Sequence, residues 1–196
     1  MSETHVDPRW AEAIASFESG DKAHALTIYK KLAADGDCYA LVEIGNIFEN
    51  GGGGVTVDYN EAAKWYRKSI FEIDDVDAHL RLAKMCLGRR LIVDDLEGVV
   101  VKHASAAGEK GVAIGWLLLG LAYELGSFGV KNKDKARKYY QVAAEQGLIA
   151  ARHGLARLAF SSGHLITGIG LSLSARWDTF FIARRNLSDE RLEGLK

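Results

Sequence analysis

The sequence predicts an all-α fold: an α-α solenoid of about five antiparallel helix pairs forming a short right-handed superhelix. Three observations carry this. A short pattern recurs at residues 40, 78, 115 and 151, as Ala40-Leu-Val-Glu-Ile-Gly45, Ala78-His-Leu-Arg-Leu-Ala83, Gly115-Trp-Leu-Leu-Leu-Gly120 and Ala151-Arg-His-Gly-Leu-Ala156. Each copy opens and closes on a small residue, and the steps of 38, 37 and 36 residues are those of stacked units, none able to bury its apolar face alone. Between the copies, apolar residues recur at helical spacing. A single proline against 21 glycines leaves helix interiors intact and supplies glycine for turns.

The elements follow in order. A short helix is expected over about Trp10–Glu18, then Ala25-Leu-Thr-Ile28-Tyr29-Lys-Lys-Leu32-Ala33-Ala-Asp-Gly36, ended by glycine. After the first block, Asp58 is a natural N-cap, with Glu61 completing an approximate capping box. Ala62, Trp65, Tyr66 and Ile70 then form one amphipathic face. After the third block, Ala136, Tyr139, Tyr140 and Ala143 repeat the design, and Gly147 stops it. The second unit keeps the period but places His103 and Ala104 where the others carry aromatics. The fourth is degenerate too, with Trp177 and the Phe180–Phe181 pair near the aromatic position. The expected layout is an extended or disordered N-terminus over 1–8 and a solenoid over 9–185. The solenoid divides into a cap pair 9–36 and repeats 37–73, 75–110, 111–147 and 148–185, before a polar tail 186–196.

Composition narrows the class. Apolar residues at 48% and charged residues at 26% belong to an ordinary folded chain, and a net charge of −1 selects neither nucleic acid nor an anionic membrane. The polar, acidic start lacks the apolar core of a secretory signal, and no stretch reaches the length of a membrane span, so a cytoplasmic protein is expected. Cys38 and Cys86 lie out of step with the repeat and read as reduced, buried thiols, a disulfide being the weaker alternative.

The residues from Ala40 through Ile70 resemble the Sel1-like repeat family, relatives of the tetratricopeptide repeats. The likeness rests on the small-x-x-x-aliphatic-Gly block, then Phe48, Gly51, Gly54-Val55, Asp58, Ala62 and Trp65-Tyr66. The third unit matches through Leu119-Gly120, Tyr123, Gly126, Gly129-Val130, Ala136 and Tyr139-Tyr140. Ala83 and Ala156 replace the glycine in the other two units, and Cys86 and Ala159 replace an aromatic. Glycine at 45 or 120 is expected to let paired helices approach, with the aromatics filling the space between pairs. The resemblance implies a bacterial adaptor that binds a partner protein or peptide in a concave groove and is not an enzyme. An immunity or regulatory protein occluding a cognate partner is one form of that role. No catalytic, cofactor or metal residues are expected.

If the first helix of each pair lines the inner curve, helical offsets select the partner-facing residues. They are Tyr39, Val42, Asn46 and Glu49, then Leu80, Lys84 and Leu87, then Ile114, Leu117, Leu121 and Glu124, then His153, Arg157 and Phe160. The middle of this set is apolar. Two readings stand: a hydrophobic groove for a partner helix or peptide, with Lys84, Arg157, Glu49 and Glu124 setting its polarity, or leucines buried by a tight superhelix or by the C-terminal segment.

Other signals yield less. Gly51-Gly-Gly-Gly54 lacks the Lys-Ser/Thr and the preceding strand of a phosphate loop, so it reads as the repeat's turn. The cations from Lys131 to Lys138 read as a solvated helix start, and no nucleic-acid partner is expected. The six histidines form no metal-spaced pair, and His153, alone on the inner face, has no evident orienting partner. From Leu165 the chain runs through Arg176-Trp177, Phe180-Phe181 and Arg184-Arg185. This segment suits docking on the last repeat or homodimerisation. The alternative is a membrane-peripheral scaffold anchored by its aromatic and basic residues.

Overall fold

Alternating helix-start and helix-stop chemistry cuts this chain into hairpins. In the computed structural model, residues 7–163 and 166–176 are described. The named helices are α1 (Arg9–Glu18), α2 (Lys22–Ala34), α3 (Ala40–Asn50), α4 (Tyr59–Ile73), α5 (Val76–Leu87), α6 (Leu96–Glu109), α7 (Ile114–Leu125), α8 (Lys133–Glu145) and α9 (Ile149–Ser161), with a further helical stretch over 166–176. The fold is an all-α solenoid of helix pairs. An isolated bridge, Gly52 to Val55, is the extended pairing found among the described residues.

In the first four pairs the second helix starts from an Asx side chain. Asp21 accepts from the His24 N–H at 3.0 Å, Asp58 from Glu61 at 2.9 Å, Asp95 from Gly98 at 2.8 Å and Asn132 from Lys135 at 2.9 Å. Helices α1, α3, α7 and α9 have no such side-chain cap. A left-handed residue then separates each second helix from the next pair. Gly36, Gly111 and Gly147 have φ of 97°, 89° and 87°, and Asp74 stands in the equivalent place with φ 50°. A non-glycine residue there is strained, although aspartate tolerates the conformation better than most.

The chain divides into two compact units, Met1–His103 and Ala104–Lys196. In the first, Ala13, Ile28, Tyr29, Leu32, Ile44 and Ile47 form the core, with Trp10, Phe48 and Trp65 packed against it. Its glycine loop is a structural turn: Gly53 accepts from the Ala23 N–H at 3.0 Å, and Gly51 accepts from Lys22 Nζ at 2.7 Å. A Cβ at Gly53 would lie 2.1 Å from the Gly20 carbonyl oxygen, so only glycine fits this approach. In the second unit, Trp116, Tyr139 and Tyr123 stack, with centroids 5.9 and 5.7 Å apart, and Lys135 Nζ lies 4.6 Å from the Tyr123 ring centre. Here helix 166–176 turns Gly168 onto the Phe160 ring, and its Thr167 and Leu171 line a cleft of about 390 Å³ together with residues of α8 and α9.

Both cysteines are free. Cys86 is buried, but Cys38 is half-buried, less than expected. Among the described residues no helix is long and apolar enough to cross a membrane.

Candidate functional site

The recurring polar feature begins with a glycine. A Cβ at Gly45 would lie 2.5 Å from Tyr66 Cε1, and one at Gly120 would lie 2.5 Å from Tyr140 Cδ1. In both regular repeats the glycine therefore seats the second aromatic of its own hairpin, a sharper role than close helix approach in general. Gly154 of α9 flanks Tyr140 from the following pair.

Seated there, each phenol aims at a glutamate four residues past the glycine. Tyr66 donates to Glu49 Oε2 at 2.8 Å, and Asn46 Oδ1 lies 2.9 Å from the same hydroxyl oxygen. Tyr140 donates to Glu124 Oε2 at 2.5 Å. An arginine of the next hairpin closes the clasp: Arg81 lies 3.3 Å from Glu49, and Arg157 lies 2.8 Å from Glu124. Arg90 adds a second, longer contact to Glu49 at 3.5 Å. The two arginines occupy different repeat positions, one turn apart, because Gly154 stands where Arg81 does in its own block.

Burial, and then the bond to a carboxylate, raises both phenol pKa values, so neither tyrosine ionises in the neutral range. Burial alone would raise the Glu124 pKa, but hydrogen bonds from Arg157 and Tyr140 together hold it below the usual carboxylate value. Glu124 therefore stays ionised, clasped between Arg157 and a neutral Tyr140.

The predicted partner-facing residues divide accordingly. In the first unit, Asn46 and Glu49 belong to the clasp, Tyr39 is 69% exposed, Lys84 is exposed and Leu87 is half-buried. Val42 and Leu80 are corrected to the core at 8% and 5% exposure. Hairpin neighbours flank α3 through α2 and α4, which leaves a narrower open face than a helical wheel implies. In the second unit, Ile114 is 40% exposed, Leu117 and Leu121 are half-buried, and Glu124 and Arg157 pair with one another. His153 is exposed, and Phe160 is overlaid in part by Gly168 of helix 166–176. Trp177, Phe180, Phe181 and the arginines after them lie outside the described residues.

Sequence reasoning missed one cluster. Buried His79 sets Nδ1 2.9 Å from His103 Nδ1 and Nε2 2.9 Å from Asp74 Oδ1. Burial, and then the charges on His79, Lys102 and Arg67, lower the His103 pKa to about 4. The available signal was His103 at an aromatic position one pair after Trp65, but nothing in the linear pattern pointed to His79 or Asp74. Among the described residues no group of three or more His, Cys, Asp or Glu could hold a metal ion.

Comparisons with known proteins agree with this picture. The Sel1 repeat pattern matches residues 38–70 and 117–148, the two stretches that contain the glycine-seated tyrosines. A Sel1 repeat protein from Oxalobacter formigenes is similar at 26% identity with a TM-score of 0.63, over 79% of this chain and 64% of that one. A protective antigen of uropathogenic Escherichia coli strains with an SLR fold is similar at 23% identity and TM-score 0.65, over 89% of this chain and 38% of that one. MamA is similar at 20% identity and TM-score 0.64, over 88% of this chain and 96% of that one. This chain thus spans less than two thirds of the first two. No curated protein matches it.

Proposed function

Because this chain is a Sel1-like repeat protein, we propose that it is a non-enzymatic adaptor that holds a partner protein or peptide on the inner faces of its first helices. Interaction scaffolds are what this repeat family provides. The observation that carries the assignment to this face is helix α7. It is apolar on nearly every side, yet Ile114 and Leu125 remain 40% and 67% exposed and Leu117 and Leu121 are only half-buried. A helix apolar all round is normally buried on all sides, and an incompletely covered one is a contact surface. In the same unit, exposed His153 adds a polar side chain on the first helix of the next pair. In its finer form, the reading is a cytoplasmic bacterial protein that occludes one cognate partner, as an immunity or regulatory protein does.

Affinity capture from native lysate with wild type and a Leu117→Asp/Leu121→Asp variant, confirmed helical by circular dichroism, tests the site. One protein retained by wild type and lost by the folded variant supports it. An equal catch from both moves binding off α7.

A second reading has its own observation. Ile166, Ile169 and Leu173 are 89%, 52% and 51% exposed at helical spacing, beside exposed Arg176. Such a helix could rest on a membrane surface. Flotation with anionic liposomes separates the two: protein that stays in the soluble fraction ends the membrane reading.

A further inference from the structure

Solenoids must cover the apolar faces of their terminal repeats, and this chain leaves apolar stripes open on both its first and its last described helix. On α1, Ile14 and Phe17 are 45% and 37% exposed one turn apart, with exposed Glu18 on the same face. On helix 166–176, Gly168, Leu171 and the buried Ala175 point inward, so Ile166, Ile169 and Leu173 form the outward stripe. The unit that bears each stripe has a definite charge. Met1–His103 carries 18 Asp and Glu against 12 Lys and Arg, whereas Ala104–Lys196 carries 8 against 13. A net charge of −1 therefore hides an acidic unit of about −6 and a basic unit of about +5, each the complement of the other.

From these two stripes and two opposed charges we propose that the chain associates head to tail with a second copy. The α1 stripe of one molecule packs on the 166–176 stripe of the next, and the acidic and basic units steer the approach. Like units repel in any head-to-head or tail-to-tail pairing, so charge selects the heterologous arrangement, which leaves one stripe open at each end of the assembly. The residues it uses are not those of the α7 face, so its test stands apart from the adaptor reading.

Sedimentation velocity of the full chain over a wide concentration range, in low and high salt, tests the proposal. The expected result is a mass that rises past the dimer with concentration in low salt and falls back in high salt, where screening shortens the reach of the charges. Ile14→Asp and Leu173→Asp change exposed positions and so preserve helicity. Each is expected to be monomeric alone at concentrations where wild type associates. Mixed, they form a dimer and nothing larger, through the one tail and one head left intact. Glu18→Lys provides a variant with every apolar contact retained, expected to weaken association about tenfold at low salt. A wild type monomeric throughout overturns the proposal. So do a saturating closed dimer, or a mixture of the two variants that stays monomeric.

Discussion

The regular hairpins α3–α4 and α7–α8 are joined to their neighbours by different chemistry from that which holds the middle pair, α5–α6. In the regular pairs a glycine seats a tyrosine, the tyrosine holds a glutamate, and an arginine from the next hairpin completes the clasp. In the middle pair, buried Ala83 replaces the glycine and buried Ala104 stands at the second aromatic position. His103 fills the first aromatic position and meets His79, itself held by left-handed Asp74. In sequence the middle repeat loses the ring and the glycine together, which amounts to a volume rule: glycine stands where a ring must be seated. What the middle pair gains is a contact between two imidazoles, of which burial holds His103 neutral, with a pKa well below its ordinary value.

The largest expected effect tests that volume rule. Tyr140→Ala removes a fully buried ring and should cost about 4 kcal/mol in urea unfolding. Gly120→Ala should cost about 2 kcal/mol, because its Cβ collides with the same ring. The double variant copies Ala83 and Ala104 and should fall short of the sum by about 1 kcal/mol or more. Strict additivity would break the comparison.

Next comes pH. Two imidazoles in Nδ1-to-Nδ1 contact share one proton, and a second would set two N–H groups face to face near Arg67 and Lys102. With its folded pKa lowered to about 4 from 6.5, His103 binds its proton more readily in the unfolded chain. Stability should therefore be full above about pH 6.5 and fall as pH drops toward 4, by about 2 kcal/mol from this site. Urea midpoints of wild type and His103→Gln measured across that window check it. Equal slopes would remove the switch from the middle pair.

The clasp charge is worth less. Glu124→Gln should cost about 1.5 kcal/mol near neutral pH, because Arg157 and Tyr140 lose a carboxylate that is mostly buried. The low folded pKa of Glu124 puts this contribution above the usual carboxylate pKa and removes it as pH falls through the folded value, so wild type and variant should converge in acid. Smallest is the cap: Asn132→Ala should cost about 1 kcal/mol, whereas Tyr39→Ala, at a helix start with no side-chain cap, should be close to neutral in stability.

Much of this was legible in the linear sequence. Period, helix pairing, the Asp58 cap, the Gly147 stop and the aromatic pair all arise from contacts within a few residues or from one repeated motif. What was legible of the candidate face is direction alone. Helical offsets select Ile114, Leu117 and Leu121, which stay partly exposed, together with Val42 and Leu80, which are buried, since a wheel shows direction without showing how many neighbours crowd that side. Glu49, Glu124 and Arg157 were read as polarity for a partner, yet they are held by Tyr66, Tyr140 and one another. Their partners lie 16 to 33 residues away on other helices, beyond the reach of local spacing.

The sequence alone determined that this chain is a run of helical hairpins, because hydrophobic periodicity, Asx caps and glycine stops act over single turns of backbone. Only the tertiary structure decided which polar residues fasten hairpin to hairpin, that His79 meets His103, and which apolar residues stay uncovered. Those outcomes depend on distances between side chains far apart in the chain, and such distances exist only once the hairpins have packed.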